Sequence, residues 1–152
     1  MDKMKKELLI KELCARLPYR LKCSFGVDDA IYEITGINPG ACGASEIQAT
    51  HIKSSINGDF KLNSCKPYLF PLSSMTEEQR EKLHELWDFN MSAALDCAIY
   101  GDELKSSLHQ LTAAKKVNEW CYENHFDING LISMELANDA TGLNIYTNYD
   151  NN

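Results

Sequence analysis

A chain of 152 residues lies within the usual size of one domain and can bury roughly two thirds of its unfolded surface, so folding requires neither a disulfide nor a metal. Its formal charge of −7, from 15 Lys and Arg against 22 Asp and Glu, argues against sequence-independent nucleic-acid binding by the whole molecule, because phosphate neutralisation needs a cationic surface. No apolar run is long enough to span a bilayer, and Met1-Asp2-Lys3-Met4-Lys5-Lys6 is not the start of a signal peptide. The expectation is a soluble cytoplasmic protein with no membrane partner.

Ile10, Leu13, Cys14 and Leu17 follow the i, i+3, i+4, i+7 rule, which predicts a helix over residues 3 to 16, capped by Asp2 and ended by Pro18. Tyr19, Leu21, Cys23 and Phe25 then alternate with Arg20, Lys22 and Ser24, the period of a strand with one wet face. Gly26-Val27-Asp28-Asp29 reads as a turn, Ala30 to Ile37 as the return strand, and the Pro39–Gly43 segment as another reversal. A third strand over about Glu46 to Ser54 and a fourth over about Asp59 to Asn63 flank Asn57-Gly58, a dipeptide suited to a tight hairpin turn. The result is a four-stranded antiparallel meander, which either closes into a small SH3-like barrel or stays an open sheet.

The stretch from Lys66 to Glu77 separates this alternating part, about 18–65, from a helical part, about 76–125. Thr76-Glu77-Glu78-Gln79 is a capping box, and a stripe of Leu83, Leu86, Trp87, Ala94, Cys97 and Ala98 predicts one long helix to about Gly101. Leu95 and Ile99 fall outside that stripe. A third layer made by residues 102–124 would cover them; otherwise they form a contact with a protein partner or a second copy of the chain. Leu104, Leu108 and Leu111 suggest a short helix, and Thr112 a cap for a final one carrying Ala113, Val117, Trp120 and Cys121 and ending near Asn124. Thr147 to Asn152 reads as a polar, frayed end. The whole is a single α+β domain in which the helices pack on the sheet.

Little of this carries chemistry. The cysteines form no Cys-x-x-Cys pair, and Cys14, Cys97 and Cys121 sit on helix stripes as reduced core thiols. Glu81, His84, Glu85 and Asp88 share a helix face, but the second Glu-x-x-His of a di-metal site is missing, so no metal and no cofactor are expected. His125 and Asp127 have the types of a base and its orienting carboxylate, without a recognisable nucleophile. His125 is better read as a cationic imidazole at a helix C-terminus. Lys5, Lys6, Lys11, Arg20 and Lys22 concentrate positive charge near the N-terminus and supply the alternative of a nucleic-acid-binding face.

The segment Lys66-Pro67-Tyr68-Leu69-Phe70-Pro71-Leu72-Ser73-Ser74-Met75-Thr76-Glu77-Glu78 resembles a group of short, uncharacterised proteins encoded in Bacteroidales genomes, phages and mobile elements. So do Lys11 to Tyr19, Asn118-Glu119-Trp120, His125-Phe126-Asp127 and Gly130-Leu131-Ile132. Where that group tends to have Tyr-Arg-Gly-Leu-Ile, this chain has Ile128-Asn129-Gly130-Leu131-Ile132, and so lacks the Arg. The resemblance implies a small accessory protein and assigns no activity or functional residue. With no catalytic motif, the leading expectation is a non-enzymatic protein-binding module using Leu95 and Ile99. Nucleic-acid binding is the alternative, and a hydrolase centred on His125 and Asp127 is the weakest.

Overall fold

The Asp2 carboxylate accepts a hydrogen bond from the Lys5 backbone N–H at 2.8 Å and so starts helix α1, Lys3–Arg16, with the bounds that the sequence predicts. In the computed structural model, which describes residues 1–26, 30–38 and 46–146, this helix is followed by a single 3-10 turn carrying Pro18. Arg20, in the left-handed region at φ 56°, then redirects the chain into the sheet. The buried face of α1 is not the expected one. Leu9, Glu12, Leu13 and Arg16 point inward, Ile10 and Leu17 are half-buried, and Cys14 is exposed.

Among the described residues, six strands form one sheet: β1 (Lys22–Ser24), β2 (Tyr32–Asn38), β3 (Glu46–His51), β4 (Asn57–Lys61), β5 (Lys66–Leu69) and β6 (Asn138–Asp139). Their spatial order is β4-β3-β2-β1-β5-β6, antiparallel except for the β5–β6 pair. The predicted meander is therefore present, in the linear order of an open sheet with β4 and β6 at its ends. Two strands come in addition to it. Proline cannot donate to a ladder, yet Pro67 is paired with Cys23 inside β5.

The turn between β3 and β4 also lies earlier than the Asn57-Gly58 dipeptide implies. Those two residues are in β4, opposite Thr50 and Ala49, and the reversal is made by residues 52–56, with Ser55 at φ 55°. Gly58 matters for another reason: a Cβ there would lie 2.9 Å from the Phe60 ring. Of the predicted turn Gly26-Val27-Asp28-Asp29, Gly26 is described, at φ 71°; its other three residues, the Pro39–Gly43 reversal and the polar end from Thr147 lie outside the described residues.

The chain divides into two compact units, Met1–Pro71 with His125–Asn152, and Leu72–Asn124. In the first, one face of the sheet and α1 enclose a core of Leu9, Leu13, Leu21, Cys23, Ile34, Ile47 and Leu69. The segment after residue 124 completes that core with Leu131 and Ala137. It is stitched to β5 by the Phe70 N–H to His125 O bond at 2.9 Å, the Asp127 N–H to Phe70 O bond at 2.8 Å, and the Ala140 N–H to Leu69 O bond at 2.8 Å.

The second unit is a helical hairpin. Thr76 caps α2, Glu77–Ile99, with both hydrogen bonds of the capping box, and the helix ends two residues before the predicted Gly101. Gly101, at φ 78°, turns the chain, and Asp102 caps α3, Glu103–Glu123. The two predicted helices over this region are thus one. Thr112 does not cap: it lies in mid-helix, with its hydroxyl donating back to the Leu108 carbonyl at 2.8 Å.

Candidate interaction surface

The hairpin closes with small side chains. Its buried residues are Asn90 and Ala94 on α2, and Ser106, Ala113 and Cys121 on α3. Asn90 satisfies its amide within α2 by donating to the Leu86 carbonyl at 2.7 Å. Small residues let two helices approach closely, but they leave the large apolar side chains outside the seam. Leu83, Leu86 and Cys97 are half-buried, whereas Trp87 and Ala98, both expected in the core stripe, are exposed. Arg80, Leu83, His84, Trp87 and Val117 line an apolar hollow of about 320 Å³ within the hairpin.

Residues 102–124 form the expected further layer as α3 and still leave Leu95 and Ile99 open, at 63% and 69% of their full exposure. Tyr100 at 88% and Leu104 at 73% flank the turn at Gly101, and Leu108 and Leu111 are exposed further along α3. Among the described residues, nine of the thirteen exposed large apolar side chains belong to the hairpin, which makes up about a third of the chain. Isolated exposed leucines are ordinary, whereas apolar side chains gathered at one end of a hairpin form a patch.

The basic residues do not form one cationic face. Lys11 is exposed and Lys5 and Lys6 are half-buried on α1. The Lys22 side chain is only 3% exposed and is ion-paired with Glu33, which also takes Arg20 at 3.1 Å. Partial burial alone would raise the Glu33 carboxyl, but the hydrogen bonds from Arg20 and Lys22 outweigh it and hold the group below its ordinary range. Lys22 therefore corrects the alternation on which it was placed outside: its charge is spent within the fold.

His125 and Asp127 are both buried and serve different partners. The two carboxylate oxygens of Asp127 accept from the Leu131 and Ile132 backbone N–H groups, each at 2.8 Å, closing the turn over residues 128–132. His125 has φ 58° and stacks on Tyr146 with ring centroids 3.9 Å apart. Burial, aided by the Arg16 charge, lowers its pKa to about 3 against an opposing hydrogen bond to the Tyr19 backbone. The imidazole is neutral at physiological pH, so it is not the cationic helix cap that the sequence suggests. Among the described residues no hydrogen bond joins the two side chains, and the base-and-carboxylate pair is not assembled.

Arg16 and Glu12 are features that sequence reasoning missed. Arg16 donates to Glu12 at 3.0 Å and to the Phe126 carbonyl at 2.8 Å, and Asn129 donates to the other Glu12 oxygen at 2.6 Å. In the sequence they form an ordinary i, i+4 pair of the kind that faces solvent. His51 and Ser54 are also close, with Nδ1 to Oγ 2.7 Å, but the same nitrogen accepts the Ser54 N–H at 3.1 Å, so the pair braces the β3–β4 turn. Among the described residues, no three His, Cys, Asp or Glu side chains are grouped to hold a metal. Nor, among the described residues, is any helix long and apolar enough to cross a membrane. Comparison with family models, curated proteins and solved structures gave no match to this chain.

Proposed function

We propose that this protein is a non-enzymatic binding module whose helical hairpin docks another protein through Leu95 and Ile99. The observation that carries this reading is their exposure beside Tyr100 and Leu104 at one end of a hairpin whose own seam is closed by small residues. Water contact with such a patch costs free energy that a protein partner removes, at about 25 cal/mol per Å² of apolar surface covered. The chain is cytoplasmic in this reading and acts as an accessory protein of a phage or mobile element, in keeping with the proteins that it resembles. Nucleic-acid binding has less support, because Arg20 and Lys22 already share Glu33.

A photoreactive amino acid placed at position 95 tests the reading in cells. The expected result is a discrete protein adduct that is missing when the same group replaces Leu143, an exposed leucine of the other unit. Equal labelling from both positions would count against it.

A further inference from the structure

Independently of what the hairpin docks, the other unit holds a built recognition site. We infer that the seat of Tyr146 is a binding site for a tyrosine side chain, filled by the chain's own tail and able to take the same group from another polypeptide once that tail is withdrawn. The first observation is the β1–β5 ladder. It pairs Ser24 with Lys66 and Cys23 with Pro67 and stops there. At the next position the Lys22 N–H donates to the Tyr146 hydroxyl at 3.1 Å, and that hydroxyl donates to the Tyr68 carbonyl at 2.8 Å. A phenol therefore stands where the ladder would continue, with its hydroxyl used both as acceptor and as donor. A phenyl ring would bring neither to the same place.

The second observation is the frame around the ring. Tyr146 lies against His125, with centroids 3.9 Å apart and planes 19° apart, and against Phe70 at 5.8 Å and 57°. The bonds that hold these two walls do not involve the tail. His125 is hydrogen-bonded to the Tyr19 backbone, and Phe70 donates to the His125 carbonyl at 2.9 Å and accepts from the Asp127 N–H at 2.8 Å. A frame fixed in advance lowers the ordering cost of an incoming ring. The third observation is the tether. The last buried anchor before Tyr146 is Ala140, bonded to the Leu69 carbonyl, and residues 141–144 are exposed, so the tail crosses the surface to reach its seat. So short a tether holds the ring at a local concentration of about millimolar. A competing tyrosine enters only when the tail is out.

The probe is p-cresol, the tyrosine side chain alone, titrated into the full chain carrying Tyr146→Ala and followed by amide nuclear magnetic resonance. It should move the Lys22 and Phe70 amide signals saturably, and toluene, which cannot make the two hydroxyl bonds, should bind about tenfold more weakly. The wild type and Tyr146→Phe, whose own rings occupy the seat, should show no such shifts at the same concentrations. Absence of a saturable shift in Tyr146→Ala, equal binding of toluene, or equal shifts in the wild type overturns the inference. If Tyr146→Ala is unfolded by itself, p-cresol should return its native far-UV circular dichroism spectrum by mass action and toluene should not. No recovery with p-cresol, or the same recovery with toluene, overturns it as well.

Discussion

At His125 the fold trades solubility of a charge for packing of a ring. The imidazole is stacked on Tyr146, whose hydroxyl donates to the Tyr68 carbonyl at 2.8 Å and accepts the Lys22 N–H at 3.1 Å. Because its pKa falls from 6.5 to about 3, the unfolded chain binds a proton between those values that the folded chain does not. Stability is therefore fully present above pH 6.5 and lost as pH falls toward 3, by roughly 1.4 kcal/mol per pH unit. Glu33, whose pKa is lowered, acts in the same direction but only at lower pH: its contribution is present above 4.5 and lost as pH falls through its folded value. Urea denaturation between pH 7 and 5 isolates the histidine. His125→Asn, which tolerates the left-handed backbone, should flatten that slope; a slope equal to wild type would assign it to other groups.

Among the elements, those whose evidence is local were legible. The capping box placed the start of α2, and alternation in Tyr19 to Phe25 and its neighbours placed the first four strands. What escaped depends on distant partners. Strand β6 has two residues, too few to show a period, and exists because Tyr68 and Leu69 are there to pair with it. The rotation of α1 has the same origin: Glu12 and Arg16 are solvent residues by type, but Phe126 and Asn129, over a hundred positions away, satisfy them inside. The apolar residues of the candidate surface were legible as Leu95 and Ile99 lying off the main stripe. Their exposure was not: Ala94 and Ala113 were expected in the core, but nothing local showed that α3 would pack on them and leave Trp87 and the far side of α2 outside the seam.

The α1 pair yields a stability test at the same scale. Removing Arg16 leaves the Glu12 carboxylate buried without its cation, so Arg16→Ala should destabilise the protein by about 3–5 kcal/mol. Replacing both by apolar residues, as in Glu12→Leu/Arg16→Met, removes the stranded charge and should recover much of that loss. Chemical denaturation of the three proteins measures both quantities. A double variant as unstable as the single one would show that the contact with Phe126, not the ion pair, anchors the helix.

For the molecule as a whole, each unit uses its residues differently. The first, Met1–Pro71 with His125–Asn152, buries Glu12, Arg16, Lys22, His125 and Asp127 in internal bonds, so its ionisable groups serve cohesion. The hairpin does the reverse, keeping small residues inside and presenting leucines, an isoleucine and aromatic rings to solvent. That inversion is what supports the proposal that the hairpin is the binding element. The most direct measurement is affinity capture of the full chain against Leu95→Glu/Ile99→Glu, read by quantitative mass spectrometry in the organism of origin, with copies of the chain itself counted among the captured proteins. The expected result is a specific associate, this chain or another, enriched about tenfold or more by the wild type over the variant at equal folded amounts. Identical associates in identical amounts from both would contradict the account.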